Sequence, residues 1–312
     1  MLPTQGPPPA GAGWIAEIKH DGARGLARVH DGQVLLQSRP GNNLTGRFPE
    51  VTAALSNLLP DRVILDGEIV TLDADRRPDF QRLQRRLTLN RPSTLQQRAI
   101  PARYLIFDIL HLDGEDLNAL PWTARRGVLE ELLPAKSGIA VAPPVYRDLD
   151  PATLLEVADE LGIEGVVAKR ADSPYRPGRR TREWLKAPIR RRAELALLGY
   201  FPGRTLPVAA LIVGGHDSTG QLRYCGTVSA GLGALISARL HTELAPLRTS
   251  TPPWRTAKAD TAEDSGTKSA VWLRPGMAVT VDYRQFTGRL RHPSIKGVAP
   301  ASDPGWLPLP SM

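Results

Sequence analysis

The stretch WIAEIKHDGARGLARVHDGQVLLQSR, residues 14–39, indicates the architecture of the first part of the chain. Apolar residues alternate with Glu17 and Lys19 at its start, which is the pattern of a strand with two different faces. Two further apolar segments are joined by Asp31-Gly32, a dipeptide that favours a two-residue hairpin turn. The stretch therefore predicts a strand followed by an antiparallel hairpin.

Helices and more strands follow in irregular alternation. Helical segments are predicted at 48–60, 121–134 and 150–162, and strands at 62–73, 103–117 and 164–170. The third helix has Asp150 as its N-cap, Pro151 in its first turn and Gly162 at its end. Antiparallel strands with interspersed helices predict an α+β fold.

The sequence pattern changes near APIRRRAEL, residues 187–195, which contains a proline and three successive arginines. This change predicts a domain boundary, with one domain at 1–190 and a second at 191–312. Beyond it, short strands alternate with Gly-rich turns around one helical stretch, which suits an OB-fold β-barrel. The Pro/Gly-rich residues 1–13 are expected to be irregular. The polar residues 250–270 are expected to form a mobile loop.

The composition predicts a soluble globular protein, since the 312 residues are 41% hydrophobic and 23% charged. The chain has no apolar run near the roughly 18 residues needed to cross a bilayer, and its N-terminus lacks a signal-peptide layout. The single cysteine, Cys225, excludes an intrachain disulfide and a cysteine-cluster zinc site. A cytoplasmic protein with no membrane partner is expected.

Arginine clusters account for much of the net charge of +8. They lie at residues 82–86, 125–126, 176–182, 190–192 and 288–292. Repeated clusters favour a polyanionic partner, most simply the phosphates of nucleic acid. An arginine-rich proteome is the plainer explanation of the charge. Aromatic residues make up only 5%, so base stacking is not expected to be the main mode of binding.

The motif that carries chemistry is KHDGAR, residues 19–24, which fits Lys-x-Asp-Gly-x-Arg. By itself it is also compatible with an ordinary charged turn. Later segments follow in a fixed order, namely SR (38–39), LDGEIV (65–70), YLIFDIL (104–110), EGVVAKR (164–170) and WLKAP (184–188). In this order and spacing the chain resembles the covalent nucleotidyltransferase family over nearly its whole length.

Three further segments make the chain similar to ATP-dependent DNA ligases within that family. They are PDFQRLQRRL (78–87), SPYRPGRRTREWLKAP (173–188) and DYRQFTGRLRHPSIKG (282–297). The compact size resembles minimal bacterial repair ligases, such as ligase C and the ligase domain of ligase D. NAD-dependent ligases resemble it less, because one cysteine cannot build their zinc site. The resemblance implies a nucleotidyltransferase (adenylation) domain of antiparallel sheets with helices, followed by an OB-fold domain.

The resemblance implies that Lys19 is the nucleophile that takes AMP from ATP. A lysine amine attacks only when unprotonated, which partial burial and neighbouring cations favour. Lys169 and Lys186 are the cations that the family supplies, and they would also hold the α-phosphate. An exposed surface lysine is the plainer interpretation of each.

The resemblance also assigns residues to a divalent cation, Mg²⁺ or Mn²⁺. Glu164 is the first candidate ligand, because a charge before an apolar strand needs a partner. Glu68 is the second candidate, and the family also gives it a contact with the ribose. A carboxylate in a surface turn is the plainer interpretation of Glu68.

Four more residues are implied to bind the nucleotide. Phe107 is expected to stack on adenine, although a core aromatic fits its pattern almost as well. Glu17 is expected near the adenine amino group. Arg24 and Arg39 would bind the ribose and the nick phosphate, because forked guanidinium groups suit phosphate; exposed hairpin arginines are the plainer interpretation.

The expected macromolecular partner is nicked duplex DNA, bound without sequence preference through its backbone. The OB domain would close over the far side of the duplex. DNA-repair or end-joining proteins are expected as possible partners, in a bacterial, nucleoid-associated setting. No feature of the sequence indicates oligomerisation, so a monomer is expected.

Two positions depart from the family pattern. Position 188 is proline where a second lysine is common, and Arg190 to Arg192 are candidates to compensate. Near the C-terminus, Ala299 and Ala301 stand where the family has an arginine and an aspartate that orient pyrophosphate. Loss of that arginine would weaken self-adenylation more than sealing. The candidates to supply the charge are Arg289, Arg291 and Lys296.

Two other interpretations remain open from the residues alone. An RNA ligase or an mRNA-capping guanylyltransferase shares the Lys-x-Asp-Gly chemistry, and labelling with GTP in place of ATP would identify a capping enzyme. A degenerate, non-catalytic DNA-end-binding protein would explain the altered C-terminal element.

Overall fold

The computed structural model describes residues 1–73, 78–133, 138–254, 270–301 and 306–310. The chain divides into two compact units, Met1–Ile189 and Arg190–Met312. Most of the segment expected to be a mobile loop, residues 255–269, lies outside the described residues. No helix among the described residues has the length and apolar character needed to cross a bilayer.

The first unit contains eleven strands and five α-helices among its described residues. The strands are β1 (Leu2–Gln5), β2 (Trp14–Ile18), β3 (Ala23–His30), β4 (Gln33–Ser38), β5 (Val63–Thr71), β6 (Ala102–Leu112), β7 (Glu115–Asp116), β8 (Ala140–Val141), β9 (Val145–Tyr146), β10 (Gly165–Arg170) and β11 (Arg180–Pro188). The helices are α1 (Pro49–Leu58), α2 (Phe80–Leu87), α3 (Thr94–Ala99), α4 (Trp122–Leu132) and α5 (Pro151–Glu160).

These strands form two sheets, in the orders β1-β11-β10-β2-β9 and β4-β3-β5-β6-β7, with β8 also beside β6. All pairings are antiparallel except β1 with β11 and β6 with β8. This is the predicted α+β architecture, with two parallel pairings that the sequence did not indicate. The hairpin of β3 and β4 turns at Asp31 and Gly32, and Asp150 caps α5 by accepting from the Ala152 amide at 3.1 Å.

The expectation of an irregular N-terminus is wrong for residues 2–5, which form β1 against the edge of β11. Met1 is buried beside Trp122 and Trp184. A distant strand supplies the partners for this backbone, and composition carries no information about such a partner. Residues 6–13 stay outside the helices and strands.

Helix α2 was not predicted as a helix from its sequence. Its N-cap Asp79 accepts from the amides of Gln81 and Arg82, and Leu83 faces the core. Arg86 is fully buried and donates to both carboxylate oxygens of Glu50 at 2.8 Å, which joins α2 to α1. An arginine-rich helix is thus held by a buried ion pair rather than by apolar residues alone.

The second unit contains nine strands and one α-helix among its described residues. They are β12 (Arg191–Phe201), β13 (Ala210–His216), β14 (Leu222–Val228), α6 (Ala234–Glu243), β15 (Arg248–Thr249), β16 (Val271–Leu273), β17 (Met277–Tyr283), β18 (Gln285–Phe286), β19 (Leu290–Arg291) and β20 (Ser294–Pro300). Seven strands form one sheet in which β12 pairs with β13 on one edge and with β16 and β17 on the other.

The sheet of the second unit has the strands and the single helix of the predicted OB-fold. Among the described residues its barrel is not closed, because no ladder joins β14 to β20. One hydrogen bond, from the Ile295 amide to the Ala230 carbonyl at 2.8 Å, brings the ends of these strands together. The core of the unit packs inside this sheet around Leu197, Val213 and Val279.

Candidate active site

A cleft in the first unit contains most of the predicted site residues, with an empty volume of about 600 Å³ that includes open solvent. Strands from both sheets of the unit contribute to its walls. The lining consists of Pro3, Glu17, Ile18, Lys19, His20, Arg24, Glu68, Leu105, Phe107, Pro143, Val167, Lys169 and Trp184. Of the predicted residues, Glu164, Lys186 and Arg39 do not line this volume.

The backbone between β2 and β10 places Lys19. Its amide donates to the Gly165 carbonyl at 2.8 Å, which extends the pairing of the two strands by one residue. Glu164 is therefore brought alongside, and its Oε1 lies 2.5 Å from the Lys19 Nζ. Gly165 has a φ of +144°, and a Cβ there would clash with the Ala187 carbonyl oxygen. Glycine is thus required where β10 begins.

Glu68 adds a second carboxylate to this end of the cleft. It lies on β5 directly opposite Arg24 of β3. Burial raises the pKa of Glu68 to about 8, while the charges of Lys19 and Arg24 oppose that rise. Glu68 and Glu164 also repel each other, since the charge of Glu164 contributes to the raised pKa. Two carboxylates therefore share one amine here.

Lys186 and Arg39 contribute positive charge near the same amine. Burial, and then the charge of Lys19, lowers the pKa of Lys186, and Arg39 and Arg180 act in the same direction. Lys186 is half-buried on β11, and Arg39 is exposed just after β4. These two side chains are the predicted phosphate ligands that remain near Lys19.

The other end of the cleft is a buried cluster around Glu17 and Lys169. The Lys169 Nζ lies 2.7 Å from the Glu17 carboxylate, and only 1% of Lys169 is exposed. The same ammonium group donates to the Phe107 carbonyl at 3.3 Å and lies over the rings of Phe107, Trp122 and Trp184 at 4.4 to 5.2 Å. Lys169 is thus tied to Glu17, whereas Lys19 is tied to Glu164.

Burial shifts both members of the Glu17–Lys169 pair towards their neutral forms. It raises the pKa of Glu17 and lowers that of Lys169, and the attraction between them opposes each shift. Arg126 from α4 adds a second cation, with its Nη1 3.7 Å from Glu17. This end of the cleft therefore combines a desolvated carboxylate with two buried cations.

Phe107 forms part of the wall between the two ends. It is half-buried, with the Arg24 guanidinium 5.4 Å from its ring centre and the edge of Trp184 at 6.1 Å. Apolar side chains of Ile18, Leu105 and Val167 line the same space. A flat apolar ligand is what such a wall accommodates.

Hydrogen bonds to the Asp66 carboxylate and the Tyr175 hydroxyl hold the Arg24 guanidinium in place. Its Nε and Nη2 donate to the two oxygens of Asp66 at 3.0 and 2.5 Å. The Tyr175 hydroxyl donates to Asp66 at 2.7 Å and accepts from Arg24 at 3.3 Å. Because both strong hydrogen bonds of this guanidinium are used internally, its position in the cleft is fixed before any ligand binds.

Comparison with known proteins identifies the family. Residues 9–187 match the family model described as the ATP dependent DNA ligase domain, and residues 204–301 match the ATP dependent DNA ligase C terminal region. This chain belongs to the ATP-dependent DNA ligase family. The descriptions of both matched family models name ATP as the nucleotide on which these ligases depend. The predicted enzyme class is thereby confirmed.

Relatives of the ligase include end-joining and repair enzymes. The multifunctional non-homologous end joining protein LigD of Pseudomonas aeruginosa is 36% identical over 284 residues, which is 90% of this chain and 32% of the relative. DNA ligase C2 of Mycolicibacterium smegmatis is 33% identical over 302 residues, which is 90% of this chain and 84% of the relative. The chain spans about a third of the length of the LigD proteins that it matches.

A solved structure shows the same fold. Mycobacterial DNA ligase D complexed with ATP and MES has a TM-score of 0.57 and 31% sequence identity, covering 98% of this chain and 96% of that chain. The ligase domain of Mycobacterium tuberculosis LigD gives a TM-score of 0.56 at 32% identity. The predicted nucleotidyltransferase and OB-fold domains are those of this ligase family.

Sequence reasoning missed several residues of the ligase cleft. His20 lies within the quoted motif, yet only the structure places it in the lining, with both ring nitrogens buried and without a hydrogen-bond partner among the described residues. Burial and the charge of Lys19 lower its pKa to about 4. Asp66 and Tyr175 were inside segments used for the resemblance and Arg126 belonged to an arginine cluster, but their partners lie far away in sequence.

The cleft of the ligase fits a nucleotide and a divalent cation. The apolar wall around Phe107 suits a base, and the unpaired ring nitrogens of His20 offer hydrogen bonds to a ligand. A cation would relieve the repulsion between Glu68 and Glu164, because oxygen ligands of this kind suit Mg²⁺. The donor set therefore agrees with the ligands that the family implies.

Proposed function

We propose that this ligase seals nicks between a 3′-hydroxyl and a 5′-phosphate in duplex DNA, with Lys19 as the residue that carries AMP. The observation that supports the proposal is the position of the Lys19 Nζ, in a cleft and 2.5 Å from Glu164, with Glu68 and Lys186 around it. A half-buried amine among carboxylates and cations suits nucleophilic attack on a phosphate.

The first step forms a bond between the Lys19 Nζ and the α-phosphorus while the bond from that phosphorus to pyrophosphate breaks. ATP supplies the AMP group and the leaving group, and a metal ion held by Glu164 and Glu68 would neutralise phosphate charge. Lys19 attacks as the neutral amine and gives up a proton to solvent as the phosphoramidate forms, since 24% of its side chain is exposed. Glu164 holds the amine in place, and Lys186 and Arg39 stabilise the charge on the phosphates.

Sealing then uses the phosphoramidate of Lys19. An oxygen of the 5′-phosphate displaces the Lys19 nitrogen from the phosphorus, which gives a DNA-adenylate and restores the lysine amine. The 3′-hydroxyl next attacks the 5′-phosphate, and AMP leaves as the phosphodiester bond forms. The cleft contributes position and charge at each step rather than further covalent chemistry.

The two ends of the cleft receive different parts of the nucleotide in this proposal. Phe107 stacks on adenine, and Glu17 with Lys169 faces the base, because both are buried away from Lys19 and Glu164. This revises the expectation that Lys169 holds the α-phosphate. Arg24 borders the ribose, where Asp66 and Tyr175 keep it in place.

Glu164 and Glu68 are the residues that would hold the metal ion, Mg²⁺ or Mn²⁺. A hard cation of this kind needs only one or two carboxylates in addition to phosphate oxygens and water. Burial raises the pKa of Glu68 to about 8, and a bound cation would favour its charged form.

The DNA is bound through its backbone without sequence preference, since a nick occurs in any sequence. The named roles of relatives in end joining and repair extend the proposal to a bacterial DNA-repair setting on the nucleoid, with end-joining proteins as partners. The ligase is proposed to act as a monomer.

Labelling with radioactive ATP tests the proposal. Wild-type protein is expected to acquire AMP at Lys19 and to seal a nicked duplex, and Lys19→Ala is expected to do neither. Arg28→Ala is the control, because Arg28 is an exposed residue of β3 in the same unit. Sealing by Lys19→Ala would sink the proposal. Labelling by GTP instead would favour a capping enzyme, and DNA binding with no labelling would favour a non-catalytic end-binding protein.

The altered C-terminal element gives a second comparison. Ala299 is exposed on β20, opposite Ala278 of β17, so an arginine there would be accommodated. Ala299→Arg is expected to speed self-adenylation and to leave sealing of pre-adenylated DNA unchanged. Measuring both half-reactions checks this, and equal self-adenylation by both proteins would remove the hypothesis that the alanine is limiting.

A further inference from the structure

A second cavity lies in the second unit, apart from the cleft of the first unit. It is built from the end of β13, the start of β14, the β18–β19 turn and the C-terminal segment. The lining consists of His216, Asp217, Ser218, Arg223, Tyr224, Phe286, Gly288, Arg289, Trp306, Pro308, Leu309 and Pro310. Its empty volume is about 1230 Å³, including open solvent, which is ample for a small planar ligand.

Hydrogen bonds to β13 fix one wall of this cavity. The His216 amide donates to the Leu307 carbonyl at 2.7 Å, and the Leu309 amide donates to the His216 carbonyl at 2.9 Å. The segment fits because residue 215 is glycine. A Cβ added at this position would lie 2.8 Å from the Pro308 carbonyl oxygen. The wall is therefore formed before a ligand arrives, which reduces the ordering cost of binding.

Trp306 offers the aromatic surface of this wall. Its indole stacks on the His216 imidazole, with ring centres 5.2 Å apart and planes 15° apart. Even so, 49% of Trp306 is exposed. A large aromatic side chain that is supported on one face and exposed to this extent is suited to stack on a flat ring.

The facing wall carries positive charge. The Arg289 guanidinium lies 4.3 Å from the ring centre of Tyr224, and its Nη1 donates to the Tyr224 carbonyl at 2.8 Å. Arg223 lines the same cavity, with its Nε donating to Asp217 at 2.7 Å. The two arginines against one aspartate leave the lining net positive.

The charge of the whole unit has the same sign. Residues 190–312 contain 15 Lys and Arg against 8 Asp and Glu, a difference of +7. Residues 1–189 contain 25 against 24, a difference of +1. Nearly all of the net charge therefore belongs to the unit that holds this cavity, which favours an anionic ligand.

We propose that this cavity binds a nucleotide with an unpaired base, which stacks on Trp306 while Arg289 and Arg223 face its phosphates. The inference goes beyond the sealing reaction of the first unit. Stacking on an aromatic ring requires a base that is free of its partner, and it does not depend on base identity. Single-stranded DNA and a free nucleotide share this chemistry.

Anisotropy of a short labelled oligo(dT), measured with the full chain in the absence of ATP, tests the proposal. Trp306→Ala is expected to weaken binding about tenfold or more, since stacking contributes about 1–3 kcal/mol per base. Trp306→Phe keeps a ring and is expected to retain most of the affinity. Leu235→Ala is the matched control, because Leu235 is an 89% exposed apolar residue of the same unit outside the cavity.

Sealing of a fully paired nicked duplex is expected to be unchanged in all three variants, which separates this test from that of the proposed function. The proposal is overturned if Trp306→Ala binds oligo(dT) as wild type does, or if an abasic oligomer binds as tightly as oligo(dT). Displacement of oligo(dT) by low concentrations of ATP would assign the cavity to a free nucleotide. Displacement by a proline-rich peptide would overturn the proposal in favour of a protein partner.

Discussion

The two units of this ligase treat charge in opposite ways. Among the described residues, the first unit buries seven charged side chains, namely Glu17, Asp66, Arg86, Asp108, Arg125, Arg126 and Lys169. In the second unit only Asp282 of the described charged residues is buried. Yet the first unit has a net charge of only +1, and the second has +7 from 15 basic and 8 acidic residues.

This difference in the placement of charged side chains has a physical reason. A buried charge costs free energy unless it is paired, so the first unit keeps its buried charges in pairs, several of them at the cleft. Asp108 and Arg125 form such a pair beside the cleft, at 2.8 and 2.9 Å. Among the described residues the second unit buries none of its arginines, and exposed cations of this kind favour a polyanionic ligand.

The largest expected effect comes from breaking a buried pair of the first unit. Lys169→Met leaves the Glu17 carboxylate buried with only Arg126 near it. The free energy of unfolding is expected to fall by about 3–5 kcal/mol. Urea denaturation measures this, and Glu17→Gln combined with Lys169→Met is expected to cost less than the sum of the single changes.

The matching pair in the second unit sharpens the contrast. Arg192 donates to Asp282 at 2.7 Å, but 65% of the arginine side chain is exposed. Arg192→Ala is expected to lower the free energy of unfolding far less than Lys169→Met does, because water screens an exposed ion pair. Equal losses of unfolding free energy for Lys169→Met and Arg192→Ala would show that ion pairs contribute equally to the stability of the two units.

The next effect concerns His20, a neutral side chain buried in the cleft. Burial lowers its pKa from 6.5 to about 4, so between these values the unfolded chain binds a proton that the folded chain does not. The free energy of unfolding is therefore expected to fall as the pH drops from 6.5 towards 4, by up to about 3 kcal/mol. Comparing wild type with His20→Asn across this range isolates the contribution. Parallel pH curves would contradict it.

A smaller effect is expected from Tyr175, which supports Arg24 through Asp66. Tyr175→Phe removes two hydrogen bonds and leaves the ring, which should cost about 1–3 kcal/mol of stability. The KM for ATP in self-adenylation is expected to rise more than kcat falls, because Arg24 is no longer fixed. Tyr146→Phe is the control, since the half-buried Tyr146 belongs to the same unit and does not line the cleft. An unchanged KM for Tyr175→Phe would leave the network a purely structural role.

The smallest effect is expected from single arginines of the second unit. Arg191 is exposed at the start of β12, and Arg191→Ala is expected to lower the slope of log Kd against log salt for duplex DNA by about 1. Arg28→Ala in the first unit is expected to leave the slope unchanged. If both variants change the slope equally, the DNA phosphates contact both units, and the difference in net charge does not determine where DNA binds.

Prediction from the sequence succeeded where the signal is local. The hairpin turn at Asp31 and the cap of α5 at Asp150 depend on neighbours in the chain, and both are present. It failed for β1, whose partner Arg180–Pro188 is far away in sequence. For the same reason the sequence named Lys169, Glu17 and Phe107 but did not indicate that Lys169 pairs with Glu17 or that three rings surround its ammonium group.

The sequence by itself determined the α+β character of the chain, the nucleotidyltransferase motifs and the residues to be examined at the site. The α+β character follows from periodicity and turn chemistry, which short segments carry, whereas the motifs and the site residues follow from the resemblance to the family. Only the tertiary structure decided how the charges are paired, with Lys19 against Glu164, Lys169 against Glu17 and Arg24 against Asp66. The physical reason is that the energy of a charge depends on burial and on partners within a few ångströms, and strands distant in sequence supply both.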